Sequence, residues 1–253
     1  MLDKELINAS RFDLRDYGLV PTVRDQGYMG SCWAFGATGA LESALLMATN
    51  KSFNTDISEN NIKNNVLYYS KHGVYNSEGS YSESPASYFT SWLGIVPSND
   101  DAYDELGKIG SIIDNGTKYH IYEFKILSNN NTSNISVYKE ALIEHGAIST
   151  MVNADYENNF NTTTYAHYYP NGTEDDLEHE VVIVGWDDNF SKYNFLTTPP
   201  GDGAWIIRNS WGEDWADHGH YYLSYYDTAF RNYTGQLVYI VNGFVENLFL
   251  SEV

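Results

Sequence analysis

The chain contains one cysteine, Cys32, in the stretch QGYMGSCWAFGATGALESALLMAT (Gln26 to Thr49), where a small-residue turn runs into a helical pattern. A solitary cysteine is either a small buried hydrophobe or a nucleophile, and its surroundings decide between the two. In the first turn of a helix the sulfur meets the positive end of the helix dipole and unpaired N–H groups, which both favour thiolate. Gly30 and Ser31 let the chain turn closely ahead of it, and Gln26 could aim its amide at an oxygen held beside the sulfur. A thiolate also needs a proton partner. Of the seven histidines, His72, His120, His145, His167, His218 and His220 lie in loop-like or helix-end settings and read as ordinary surface residues. His179 differs, because it opens the apolar run HEVVIVGW, where a strand can anchor the backbone while the ring enters a cleft. Downstream, in AWIIRNSWGEDW, Asn209 ends a second apolar run and Trp211 follows it. An amide there can accept from the imidazole N–H, with an indole shielding the bond from water. Nucleophile, base and orienter are the parts of covalent acyl transfer.

Those residues need elements to hold them. A helix is expected from near Ser31 to just before Asn50, with Leu41, Leu45 and Met47 on its apolar side. Shorter helices are expected at Ser58–Ser70 and Ser84–Trp92, joined by the loop NSEGSYSES, and another at Ile135–His145, stopped by Gly146. From Gly146 onward the period becomes two, and AISTMV, HEVVIVGW, GAWIIRN and HYYLSYY read as strands, with GQLVYIV a further one. Phe12 to Arg24 reads as an extended arm broken at Pro21, and NNNTSN and NFLTTPPGDG read as loops. Helices first and strands second predict an α+β protein with two lobes.

Composition narrows the partners. With 34 acidic and 14 basic residues the formal net charge is −20, which repels phosphate backbones and anionic lipid, so no nucleic acid is expected to bind. No apolar run approaches the roughly 18 residues of a membrane span, and MLDKELINAS lacks the features of a secretory signal. A single cysteine rules out an intrachain disulfide and an all-cysteine metal site. Triplets of the Asn-x-Ser/Thr type at Asn115, Asn134, Asn161, Asn171 and Asn232 carry little weight in so asparagine-rich a chain.

Taken together, QGYMGSCWAFGATGALES, HEVVIVGW and NSWGEDW resemble the three signature blocks of the papain-like cysteine peptidases, in the family's order. The resemblance runs from about Phe12 to Tyr226, through FDLRDYGLVPTVRDQG and GHYYLSYYD. The segments SYFTSWLGIVPSNDDAY and VGWDDNFSKYNF are similar to microbial secreted or surface members, often linked to lectin-like modules. The resemblance implies a papain-like fold, with a helical N-terminal lobe, a β-barrel-like C-terminal lobe and a cleft between them. It implies residues 1–11 as a linker or cloning remnant and 12–226 as the peptidase domain, the helical lobe at about 25–120 and the β lobe at about 121–226. Residues 227–253 either complete the domain as strands or lead to a missing module. Cys32 is then the nucleophile, His179 its base and acid, Asn209 the residue that orients His179, and Gln26 the oxyanion donor together with the Cys32 backbone N–H. Trp211 shields the His179–Asn209 contact and, with Glu180, borders the substrate. Neither a metal nor an organic cofactor is needed. The expected partners are a protein or peptide substrate and an inhibitory propeptide absent from this chain, and a monomer is expected. The expected location is outside the cell or at its surface, as a mature fragment of a longer precursor.

Departures from the pattern matter as well. Met29 stands where many relatives carry a second cysteine, so packing alone must hold the fold, with 22 tyrosines and 11 phenylalanines as the means. The residue after the histidine is usually small and borders the pocket for a substrate side chain, yet here it is Glu180. A carboxylate there implies tolerance of Arg or Lys. Strand alternation instead places Glu178 and Glu180 on the face opposite His179, towards solvent or a structural pairing. Three functions stay open: an endopeptidase, an isopeptide or cell-wall peptide hydrolase or transpeptidase using the same residues, and a non-catalytic binding module of papain-like shape.

Overall fold

The computed structural model describes residues 2–53, 55–67, 74–75, 79–90, 95–107, 121, 123–127, 135–233 and 235–240. Its helices are α1 (Cys32–Ala48), α2 (Glu59–Leu67), α3 (Glu83–Thr90), α4 (Ile135–His145), α5 (Tyr156–Asn159) and α6 (Thr228–Asn232). Its strands are β1 (Arg11–Asp13), β2 (Val74–Tyr75), β3 (Leu106–Gly107), β4 (Glu123–Leu127), β5 (Ile148–Val152), β6 (Phe160–Asn161), β7 (Ala166–His167), β8 (His179–Asp187), β9 (Ala204–Arg208), β10 (His220–Ser224) and β11 (Gln236–Ile240). Helices α1 to α3 and the small two-stranded sheet of β2 and β3 form one lobe. The second lobe is a sheet in the order β4-β11-β5-β8-β9-β10-β7-β6, with β1 also paired to β8. This is the α+β, two-lobed architecture expected from the sequence.

Helix α1 is the hub. Every residue from Cys32 to Leu45 is buried, so the helix has no solvent face and its apolar side is only part of its packing. Alanines at 34, 37, 40 and 44 keep it slim enough to lie against β8, β5 and β11 on one side and α2 and α3 on the other. Strand β8 is buried from His179 to Trp186 and pairs antiparallel with β5 and β9. That burial on both faces explains its unbroken apolar run.

Several expectations needed adjustment. The segment Phe12–Arg24 is no simple arm: β1 pairs antiparallel with β8, Phe12 opposite Trp186, and a 3-10 turn covers Leu14–Tyr17. Strand β4 gave no sequence signal because four of its five residues are exposed or half-buried. Helix α2 begins at Glu59 and α3 at Glu83, while the expected ends at Ser70 and Trp92 lie outside the described residues, as do NNNTSN, Asn115 and Asn134. Helix α4 has the expected bounds, and Gly146 follows it at a φ of 98°. Strand β11 pairs with both β4 and β5, so part of the segment after Tyr226 belongs to the sheet.

Two histidines read as surface residues are interior. His167 is 0% exposed on β7 and His220 is 6% exposed at the start of β10. Burial pushes each imidazole down to about 4. Both are turned inward on strands: His167 on the two-residue β7, which is too short to show a pattern, and His220 at the first residue of β10. His218 is exposed and His145 half-buried, whereas His72 and His120 lie outside the described residues. Among the described residues no helix is long and apolar enough to cross a membrane, and no cluster of three His, Cys, Asp or Glu side chains is placed to hold a metal.

Candidate active site

Cys32 is the first residue of α1 and is 9% exposed. The residue ahead of it, Ser31, makes no side-chain cap bond to the helix. Its hydroxyl is engaged instead with the Tyr103 hydroxyl, at 2.8 Å. No side-chain oxygen caps the first turn, and of its N–H groups those of Cys32 and Trp33 act on the sulfur while that of Ala34 donates to the Ser31 carbonyl at 2.8 Å. Burial pushes the Cys32 thiol up, while backbone N–H groups of Glu180 and Trp33 act in the opposite direction. The reach of the Glu180 N–H to this sulfur puts the start of β8 against the start of α1.

His179 opens β8 and is 4% exposed. Its Nε2 lies 2.7 Å from Asn209 Oδ1. An amide oxygen can only accept, so Nε2 carries the hydrogen and Nδ1 is the basic nitrogen. Trp211 stacks on the imidazole at 4.9 Å between ring centroids. Burial pushes His179 down, opposed by the bond to Asn209 and by the side chain of Glu180. Asn209 is itself anchored: its N–H donates to the Gly219 carbonyl at 2.9 Å, and its Oδ1 also accepts from the Ser210 N–H at 2.8 Å.

Gln26 is joined to the same segment. Its backbone N–H donates to the Ser210 carbonyl at 2.9 Å, Gly212 N–H donates to the Arg24 carbonyl at 3.1 Å, and Asp25 bridges Trp211. Its side-chain oxygen accepts from Ser210 Oγ at 2.6 Å, and its Nε2 donates to the Met29 carbonyl at 3.0 Å. That leaves one of its two amide hydrogens outside these bonds. The loop ahead of the thiol and the loop carrying Asn209 and Trp211 thus form one hydrogen-bonded unit.

Glu180 does not face solvent. Glu178 lies ahead of β8 and is exposed, but Glu180 is 1% exposed. Its Oε1 accepts from Ser149 Oγ and its Oε2 from Ser82 Oγ at 2.9 Å. The carboxyl is therefore enclosed rather than presented to a pocket. Two other residues carried no sequence signal of a role here. Ser210 ties Gln26 down, and Tyr156 packs edge-on against Trp211 at 5.0 Å and near His179 at 6.5 Å. Neither a serine after a strand nor a tyrosine opening a four-residue helix has a spacing that marks such contacts.

A thiol at a helix start, with the start of the strand that carries an Asn-bonded imidazole against it, is an arrangement that suits a thiol protease. The family model for papain family cysteine proteases matches residues 8–237, and the chain belongs to that family. It is 30% identical over 218 residues to cysteine proteinase 15A of Pisum sativum, covering 83% of this chain and 56% of that protein. It is 28% identical over 217 residues to procathepsin L of Rattus norvegicus, covering 82% and 58%. Its fold superposes with a TM-score of 0.80 on the cysteine protease and lectin-like domains of Cwp84, a surface layer associated protein of Clostridium difficile. That superposition is at 24% identity and covers 94% of this chain and 52% of the other. The chain thus spans just over half the length of the curated relatives it matches.

Proposed function

We infer that this chain hydrolyses peptide bonds with Cys32 as nucleophile. The observation that supports this most is the Nε2–Oδ1 bond between His179 and Asn209 under Trp211, which leaves Nδ1 basic next to the helix start that carries the thiol. Burial by itself favours the neutral thiol and the neutral imidazole. As a thiolate–imidazolium pair each charge offsets the other's desolvation, and the α1 N–H groups add to the thiolate. The thiolate attacks the peptide carbonyl carbon, and the oxygen takes the negative charge beside Gln26 Nε2 and the Cys32 backbone N–H. His179 gives its proton to the leaving amine as the carbon–nitrogen bond breaks. It then accepts a proton from the water that cleaves the thioester and returns the sulfur. The four polar residues argue for catalysis over a papain-like binding module, which has no use for all of them.

A propeptide is proposed as the natural inhibitor, supported by the likeness to a procathepsin, and the site of action is proposed to be outside the cell or at its surface. Cys32→Ala tests the central claim. The variant keeps the fold, because alanine suits a helix start, and loses all turnover of peptide substrates. Residual cleavage by purified variant protein sinks the mechanism.

A further inference from the structure

The carboxyl of Glu180 lies inside the protein, beneath the first turns of α1. A Cβ added at Gly36 would come within 2.8 Å of Glu180 Cγ and 3.2 Å of Ser149 Oγ, so the missing side chain at Gly36 makes the space this carboxyl fills. Gly36 is four residues after Cys32 and shares its face of the helix. The acid and the thiol therefore sit under one helix face about one turn apart. Two hydroxyls donate to the acid, Ser149 Oγ from β5 and Ser82 Oγ from the segment ahead of α3, and Tyr233 Oη donates in turn to Ser82 Oγ at 2.9 Å. The titratable groups facing it are Cys32 on α1, His179 on its own strand, Glu83 on α3, Tyr233 ahead of β11 and Tyr239 on β11. Of these, His179 in its imidazolium form favours the carboxylate, whereas a thiolate at Cys32 and the charge of Glu83 oppose it.

We propose that Glu180 is a positioning residue for Cys32, a carboxylic acid kept uncharged beneath α1 so that the thiolate can form one turn away, and whose loss of a proton works against that thiolate. The inference rests on Cys32 being the reactive thiol. The two serines donate to the carboxyl but supply no countercharge, so its burial disfavours the charged form. Burial pushes Glu180 up to about 8, against the bonds from Ser149 and Ser82, so the acid changes charge at the alkaline edge of the working range. A nearby pair of like charges separated by protein rather than water interacts by more than thermal energy.

The test compares alkylation of Cys32 by neutral iodoacetamide and by anionic iodoacetate from pH 5 to 10, in the wild-type protein, Glu180→Gln and Ser149→Ala. Loss of the imidazolium proton slows iodoacetate relative to iodoacetamide in all three. In the wild type the ratio falls a further severalfold between about pH 7 and 9, as the second negative charge appears. Glu180→Gln, a neutral shape mimic, lacks that extra fall. Ser149→Ala removes a donor to the carboxylate and moves the fall to higher pH, which keeps the proposal testable should the glutamine variant not fold. Parallel ratio curves in wild type and Glu180→Gln, or a fall unmoved by Ser149→Ala, overturn the role of Glu180 and leave the nucleophile reading intact. A Cys32 that resists both reagents at every pH overturns both.

Discussion

The side-chain amide of Gln26 is fixed at each end, by the Met29 carbonyl and by Ser210 Oγ, so its remaining hydrogen points in a set direction before substrate arrives. Preorganised donors of this kind act on the oxyanion more than on the ground-state carbonyl. Gln26→Ala is accordingly expected to lower kcat by roughly 10²- to 10³-fold with little change in KM. A loss confined to KM, measured on any cleaved peptide, would assign Gln26 to substrate binding instead. Asn209→Ala misorients His179 but leaves a base in place, so its kcat falls less than that of His179→Ala. Equal losses would mean that Asn209 does more than orient. At this scale Cys32, His179, Asn209, Gln26 and Trp211 could be picked from the sequence because each stands in a distinctive local block. Ser210 and Tyr156 could not, because their contacts join segments far apart in the chain and leave no mark on neighbouring residues.

Among elements, α1 depends on more than its apolar contacts. Arg24 makes a bidentate contact with Glu42 of α1, at 2.6 and 2.8 Å, and also pairs with Glu59 of α2 and with Asp56. Arg208 of β9 lies alongside, donating to the Thr22 carbonyl at 2.5 Å. Glu42 and Glu59 are both buried, and burial pushes the Glu59 carboxyl up despite Arg24. Removing one partner of such a cluster leaves uncompensated charge in the interior. Arg24→Ala is expected to cost about 3–5 kcal/mol in urea unfolding, and a loss below about 1 kcal/mol would show the carboxylates readily neutralised or hydrated. The elements that were legible in the sequence share a reason. Helix α4 has a regular pattern with a glycine stop, and β5, β8, β9 and β10 are five to nine residues long and rich in β-branched and aromatic side chains. Strand β1 was not legible because three residues, Arg11 to Asp13, are made a strand only by lying against Trp186 and its neighbours. The cluster around Arg24 was hidden for the same reason, since its members are far apart in the chain.

For the whole molecule, buried titratable groups set how stability changes with pH. The folded state holds Glu180 at about 8 and Asp227 at about 6, above their usual values. Each therefore stabilises fully at low pH, and its contribution is lost as pH rises towards its folded value. His167 and His220, both near 4 when folded, work the other way, and their contribution is lost as pH falls below about 6.5. The carboxyl and imidazole effects roughly cancel between about pH 4.5 and 6, leaving a maximum near 6.5. Above that point Glu180 dominates among these four, and stability should fall by about 1–2 kcal/mol between pH 6.5 and 8. Chemical denaturation at both pH values checks this, and Glu180→Gln should remove most of the fall. A slope unchanged by that substitution would place the titrating group elsewhere. The position of β11 has a further consequence, for the order of events during synthesis. Its place between β4 and β5 means that two strands made early must wait for one made late, and α1, which packs on β5 and β11, meets its full sheet only once that seam is filled. A nascent chain has emitted every residue of its reactive centre by Trp211, yet its sheet stays split until Ile240 has cleared the ribosome. Synthesis itself thus delays completion of the sheet on which α1 packs.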